Sequence, residues 1–268
     1  MLSWVSQQQA IGIAQFDQEM SKAHPELTGY LANASDYVHT IANECNYLHA
    51  TEMLDWHLYL TGKMKVLDLG CGGGWLSAYL SQFSSVEQIY ALDSSKYFLE
   101  KLLPNVINVM GGDLQKIEVV EALFTPLLFE TNSLDLVVAS SAVHHAENLE
   151  SLLLEIARAL KPNGRLILLN ETPRGGFRYF ISAVMASLRI IKNIAGCQYF
   201  SVSPAISSSC FLYDPRLGDR DYPMWYWRKA LDISGFTIEE IMNTGLPTIK
   251  DGKGRPLIHF ICKRVASK

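Results

Sequence analysis

The stretch Val66-Leu67-Asp68-Leu69-Gly70-Cys71-Gly72-Gly73-Gly74-Trp75-Leu76 constrains this chain more than any other. An apolar run suited to a buried strand leads straight into glycines at alternate positions, D-x-G-x-G-x-G, and then into residues suited to a helix. A chain that turns this sharply at the carboxyl end of a strand needs glycine. So does a ligand that must approach the backbone without meeting Cβ atoms. The helix that follows presents unpaired N–H groups in its first turn.

The surrounding sequence has the same texture. From Lys63 to Glu171, short apolar runs at 66–69, 89–92, 106–110, 134–140 and 164–170 alternate with helical stretches, the signature of a parallel sheet with crossover helices. Leu149, Leu152, Leu153, Ile156 and Leu160 make one helical stripe, which Pro162-Asn163-Gly164 brings to an end. Ahead of this region Ile41, Tyr47, Leu48, Leu54, Leu58 and Leu60 recur at near-helical spacing. Behind it, a helix at 225–234 precedes strands at 236–243 and 257–263, whose short connection predicts an antiparallel pair. The expected fold is a doubly wound α/β domain: a seven-stranded, mostly parallel sheet with one antiparallel strand, plus a helical N-terminal cap and an inserted cap. Residues 1–62 form the N-terminal cap, 63–171 the α/β core, 172–224 the insertion and 225–268 the rest of the core.

Composition removes several classes of function. With 268 residues, 49% of them hydrophobic and 19% charged, the chain can build a full core. Its oiliest stretch, Gly175 to Gly196, is cut by Arg178, Arg189 and Lys192, and the N-terminus has no basic-then-apolar leader. The expectation is therefore no integral membrane segment and a cytoplasmic protein. Cys45, Cys71, Cys197, Cys210 and Cys262 are scattered and form no C-x-x-C pair, which speaks for a reducing compartment and against a structural metal. His24, His39, His49, His57 and His259 have no metal-ligand spacing, and no metal is expected. A net charge of −4 argues against nucleic acid as a partner. Charge is unevenly spread: residues 1–60 hold seven acids against one base, and 172–268 hold fourteen bases against seven acids. The favoured reading is oppositely charged terminal surfaces; the sharper one is an anionic substrate or lipid met by the C-terminal third. Within the insertion, Phe177, Phe180, Val184, Leu188 and Ile191 share a helical face while the three bases gather on another. Segment 177–192 reads first as a lid over the site and second as a surface helix making peripheral membrane contact.

The glycine pattern decides among nucleotides. A nicotinamide or flavin site wants G-x-G-x-x-G, but here the third glycine arrives one residue early and Trp75 stands where a small residue is needed. No Lys-Ser/Thr end marks a phosphate-cradling loop. D-x-G-x-G-x-G resembles instead the first motif of the class I S-adenosylmethionine-dependent methyltransferases, and other motifs follow in order. Asp93 ends the second strand in Ala91-Leu92-Asp93-Ser94; Gly112-Asp113-Leu114 follows the expected third; Ser140-Ser141 ends the fourth; and Leu160-Lys161-Pro162-Asn163-Gly164-Arg165-Leu166 turns into the fifth. The resemblance covers residues 63–171 and 225–264, and not 1–60 or 172–224.

The resemblance implies a cofactor, S-adenosylmethionine, leaving as S-adenosylhomocysteine. It would be held by Asp68, Gly70, Cys71, Gly72, Gly74, Asp93, Ser94, Gly112, Asp113, Leu114, Ser140 and Ser141. In the family, the acid at Asp93 bonds both ribose hydroxyls. The acid at Asp113 accepts from the adenine amine while Leu114 covers the ring, and Ser140-Ser141 line the methionine portion. Read without the family, Asp68 equally well positions the glycine turn, Cys71 is a small turn residue, and Asp93 and Asp113 are also good helix caps. His144 and His145, just past the fourth strand, are the candidate catalytic bases, the alternative being braces for the next helix. In Tyr222-Pro223-Met224-Trp225-Tyr226-Trp227 the rings cannot all face one core, so Tyr222, Trp225 and Tyr226 are the candidate substrate contacts. The expected function is methyl transfer to a small organic acceptor, bulky or partly apolar; the alternative is a cofactor-binding sensor or assembly protein without turnover. DNA amino-methylation lacks its Asn/Asp-Pro-Pro-Tyr/Phe, and aminopropyl transfer lacks an acid at the fourth strand's end. Nothing in the sequence sets the oligomeric state.

Overall fold

The computed structural model describes residues 1–23, 33–175, 180, 184, 205–206, 211–214, 218–248 and 254–265. Its main sheet is built from β1 (Leu2–Ser3), β2 (Met64–Leu69), β3 (Val86–Asp93), β4 (Ile117–Glu121), β5 (Leu134–Ser140), β6 (Leu160–Glu171), β10 (Phe236–Pro247) and β11 (Pro256–Arg264). The order across the sheet is β1-β4-β3-β2-β5-β6-β11-β10. β11 runs antiparallel to both β6 and β10, and the other pairings are parallel. Six of these strands, all but β1 and β4, are expected where they stand. Of the other two, β1 is two exposed residues that no periodicity reveals; it covers the edge of β4. Trp4 secures it by donating its N–H to the Glu121 carbonyl at 2.8 Å and setting its ring edge-on to Phe129. Three short strands, β7 (Ala205–Ile206), β8 (Leu212–Asp214) and β9 (Asp219–Asp221), make a separate antiparallel sheet.

Period-two alternation in the central strands sorts their side chains onto two faces. Leu67, Leu69, Val137, Ala139, Leu166 and Leu168 pack with α6 (Leu149–Ala159) and α7 (Met224–Ile233). Val66, Leu136, Val138, Ile167 and Leu169 face the other way. There they meet Tyr37 of α2 (Ala34–His39), Trp56, and Leu76 and Leu80 of α4 (Trp75–Ser81). α1 (Gln7–Ala23), α3 (Tyr47–Glu52) and α5 (Leu103–Val109) complete the described helices named here. The predicted α6 stripe is fully buried, and Asn148 caps the helix by accepting from the Ser151 N–H. After α6, Leu160 already pairs with Leu134, so Pro162-Asn163-Gly164 forms a bulge inside β6 rather than a linker before it.

One expected strand is wrong. Residues 106–110 belong to α5 and the turn that follows it, not to the sheet. Leu99, Leu102, Leu103, Val106 and Ile107 recur at helical spacing and are all buried, and Pro104 sits in the first turn, where its missing N–H costs nothing. A five-residue window with β-branched residues hid that longer period. The strand itself is β4, Ile-Glu-Val-Val-Glu, which pairs Ile117 with Ile89 and Glu121 with Asp93. The 177–192 stripe lies outside the described residues except Phe180 and Val184, both exposed. Among the described residues no helix is long and apolar enough to cross a membrane.

Candidate active site

The glycine turn hooks onto the end of β3: the Gly70 and Cys71 N–H groups both donate to the Leu92 carbonyl, at 2.8 and 2.9 Å. Gly70 (φ 72°) and Gly74 (φ 80°) occupy the left-handed region. A Cβ on Gly70 would stand 2.7 Å from the Ala142 Cβ, and one on Gly74 2.6 Å from the Leu103 Cγ. The loop is thus held by neighbours as well as by its own torsions. The Tyr37 hydroxyl accepts the Gly73 N–H at 3.1 Å, so the N-terminal segment seals the loop from one side. The Cys71 side chain points away, buried among Ala78, Leu99, Leu103 and Ile107; only its backbone belongs to the loop.

Asp68 does not face the crevice. It is 1% exposed and accepts from the Ser77 hydroxyl at 2.6 Å, tying β2 to α4, which makes it a positioning residue. Burial pushes its carboxyl up to about 7, with the Ser77 bonds offsetting part of this and the Asp93 charge adding to it. The folded chain therefore keeps a proton that the unfolded chain releases near pH 4. The stability this gives is complete below that value and is lost as pH rises through about 7, by roughly 4 kcal/mol at most. Asp68→Asn keeps an acceptor for Ser77 and cannot ionise. Denaturant unfolding should find it more stable than the parent at pH 8 and no better at pH 4; two parallel pH curves would contradict this.

Asp93, at the carboxyl end of β3, takes the Gly72 N–H on Oδ2 at 2.8 Å and the Ser95 N–H on Oδ1 at 2.9 Å, with Ser94 half-buried in the same turn. A carboxylate has further lone pairs for two hydroxyls. Gly112-Asp113-Leu114 is displaced to the opposite end of the sheet. The Asp113 N–H donates to Ser81 Oγ at the far end of α4, its carboxylate caps the Gln115 N–H, and Leu114 is half exposed. These three residues lead into β4 rather than out of it, so they cannot hold an adenine beside Asp93. Ala122, Leu123 and Phe124 stand at that carboxyl end instead: the Ala122 N–H donates to the Asp93 carbonyl, and the Phe124 ring reaches 3.2 Å from a Cβ built on Gly70. The apolar run after Val119-Val120 was the available signal.

At the end of β5, Ser140 Oγ accepts from Asn170 Nδ2 at 2.8 Å, and Ser141 (φ 48°) shares a 3.0 Å hydrogen bond with the Tyr47 hydroxyl. Asn170 is fully buried, and its Oδ1 has no partner among the described residues. A buried acceptor left without a donor costs about 1–3 kcal/mol, which a ligand's ammonium group would recover. With Asp93 offering oxygens for hydroxyls, these groups fit a ribose and an amino-acid tail, as S-adenosylmethionine carries.

Val143–His145 forms a short 3₁₀ turn after β5. Glu171, buried at the end of β6, meets His144 Nδ1 at 2.8 Å and accepts the Val143 N–H at 3.2 Å. Asp219 Oδ1, from β9, lies 3.6 Å from His144 Nε2 and 3.3 Å from His145 Nδ1, and the two rings stand 4.4 Å apart. Burial by itself would strip the proton from His144, but the Glu171 charge and the hydrogen bonds to both carboxylates outweigh it and raise the group to about 10. His144 is therefore an imidazolium at neutral pH, which corrects its expected role as a base. His145 is lowered, by burial and then by the His144 charge, and stays neutral. Sequence reading missed Glu171 and Asp219. Glu171 shares the strand-end position that marked Asp93; Asp219 sits in no pattern.

The aromatic cluster is mostly core. Tyr222 is 2% exposed and donates its hydroxyl to the Ala146 carbonyl at 3.1 Å; Tyr226 packs on Phe211 and Tyr222; Trp225 is 55% exposed on the surface. Tyr222, just before α7, and Tyr226, on its inner face, are thus removed as substrate contacts because both rings pack into the core.

Comparison with known proteins follows the same geometry. A methyltransferase domain family model matches residues 67–168, from the end of β2 to β6. The ubiquinone/menaquinone biosynthesis C-methyltransferase UbiE of Campylobacter jejuni subsp. jejuni serotype O:23/36 (strain 81-176) is 26% identical over 173 residues, covering 59% of this chain and 70% of that protein. The sterol 24-C-methyltransferase erg6 of Aspergillus fumigatus is 35% identical over 101 residues, covering 38% of this chain and 26% of that one. A SAM-dependent methyltransferase from Methanosarcina mazei has the same fold, with a TM-score of 0.56 at 19% identity over 79% of this chain and 97% of that one.

Proposed function

We propose that this chain, a class I S-adenosylmethionine-dependent methyltransferase, methylates an apolar small molecule whose ionisable hydroxyl is received at the His144–His145 turn, on that oxygen or on a carbon it activates. The observation that carries this reading is the cluster of His144, His145, Glu171 and Asp219 one turn beyond Ser140-Ser141. When bound, the cofactor supplies a methyl group already activated by its sulfonium. The chain's own task is alignment, exclusion of water and, for a hydroxyl acceptor, removal of a proton. A neutral His145 beside Asp219 suits the acceptor's proton, and the positive His144 suits the oxygen left behind. Gly70–Gly74, Asp93, Ser140 and Ser141 are the residues proposed to hold the cofactor. The apolar character of the acceptor no longer rests on the aromatic cluster; what supports it is that the relatives are named for quinone and sterol methylation.

The test is transfer of labelled methyl from the cofactor to quinols, simple phenols, sterols and amines. Label should appear on a phenolic or enolic acceptor, and His145→Ala should lower turnover about a hundredfold or more while S-adenosylhomocysteine affinity holds. Label appearing only on amines, or equal turnover in the variant, would overturn the reading.

A further inference from the structure

We infer that His144, His145 and Asp219 form a binding site for one divalent transition-metal ion, of the zinc and iron(II) class, at the acceptor end of the crevice. One donor atom from each of the three lies within 4.8 Å of the others. The separations suit coordination and not only an ion pair. Ligands about 2.1 Å from a tetrahedral ion stand about 3.4 Å from one another. Here His145 Nδ1 and His144 Nε2 lie 3.3 and 3.6 Å from Asp219 Oδ1. Two imidazoles and one carboxylate are borderline ligands, which prefer zinc, iron or cobalt over magnesium or calcium.

The outer contacts agree. Glu171 holds the other nitrogen of His144 at 2.8 Å, the carboxylate–histidine arrangement that orients a metal-binding ring. Glu171 is itself held by the Val143 N–H, and Arg220 fixes the turn by donating to the His145 carbonyl at 2.7 Å. Of the arginines nearby, Arg174 and Arg255 meet Asp221, Arg220 donates to the His145 and Gly218 carbonyls, and the Arg255 charge also reaches Asp219. Asp219 and Glu171 set a carboxylate on each nitrogen of the His144 ring. The half-exposed His145 and Asp219 leave a route in from solvent.

Three protein ligands leave at least one coordination position for water or substrate oxygen. Resting on the function proposed above, this assigns that position to the acceptor's hydroxyl. On entry the ion would displace the proton of His144 Nε2 to solvent, and a hydroxyl bound to it would release its own proton to solvent more readily, since both imidazoles are then ligands. The ion then replaces the two imidazoles as the group that ionises the acceptor. Such a site favours acceptors with two adjacent oxygens, a catechol or hydroxyquinol, over those with one.

The test is titration of chelator-treated protein with cobalt(II), followed by visible absorption and by calorimetry, with S-adenosylhomocysteine affinity measured on the same samples. Parent protein should bind one cobalt per chain and develop the intense bands of a tetrahedral N₂O site. Asp219→Ala and His145→Ala should each weaken binding at least tenfold, and Glu171→Gln should weaken it about tenfold through His144. His57→Ala, an exposed histidine on another face, should change nothing. Absence of stoichiometric cobalt, or equal affinity in Asp219→Ala and the parent, overturns the site. Retained S-adenosylhomocysteine affinity in those variants shows that lost cobalt is not lost folding. Cobalt bound by a parent protein that ignores S-adenosylhomocysteine would keep the metal site and remove the methyl-donor reading.

Discussion

Gly74→Val is expected to abolish S-adenosylhomocysteine binding and to destabilise the chain by roughly 3–5 kcal/mol. Two costs add at this position. A β-branched residue at φ 80° is strained by about 1–2 kcal/mol, because its Cβ crowds its own backbone. The new Cβ would also sit 2.6 Å from the Leu103 Cγ, so α5 must move or its leucine must leave a good rotamer. That displacement also shifts the start of α4 and with it the loop proposed to hold the cofactor. Gly111→Val separates the two costs. Gly111 also has positive φ, at 68°, but no atom lies within 4 Å of its ideal Cβ. It should lose only the strain, and its S-adenosylhomocysteine affinity should stay within a few-fold of the parent. Denaturant unfolding and calorimetry decide the matter. Equal losses in the two variants would mean that Gly74 is needed for its torsion alone.

The second large effect falls on Asp93. Asp93→Ala should weaken S-adenosylhomocysteine binding at least a hundredfold, about 2.7 kcal/mol. The carboxylate bonds the Gly72 and Ser95 N–H groups, so its removal loosens the glycine turn against β3 and at the same time removes the proposed acceptor for the ribose. Charge-assisted hydrogen bonds of this kind contribute about 1.5–3 kcal/mol each. Asp93→Asn keeps one oxygen but turns an NH₂ toward a backbone N–H, and should fall between the two. An alanine variant with parental affinity by calorimetry would place the cofactor elsewhere.

Much of the fold was legible because the information is local. The run from Val66 to Leu76 carries its strand, turn and helix in adjacent residues, and the α6 stripe needs only its own spacing. Asp93 and Ser140 could be placed at strand ends because each closes an apolar run. The failures came from windows that were too short. Val106–Met110 alternates well enough to pass for a strand until Leu99, Leu102 and Leu103 are counted with it. That one misreading carried Gly112, Asp113 and Leu114 to the wrong end of the sheet. The aromatic cluster failed for a different reason: apolar rings look alike in sequence whether they line a crevice or fill a core, and Tyr222 and Tyr226 fill the core.

What the sequence determined alone is the class of fold, the reversal of β11, and a glycine turn between β2 and α4, since each depends on neighbours along the chain. What only the tertiary structure decided is which distant groups meet. β4 had to be placed between β3 and β1 before its carboxyl end could be recognised. Glu171 and Asp219 had to be brought against the two histidines before one of them became a cation and Asp219 with both rings a candidate metal site. Charge and coordination depend on distance in space, and no spacing along a chain records the distance between strands that close only when the sheet forms.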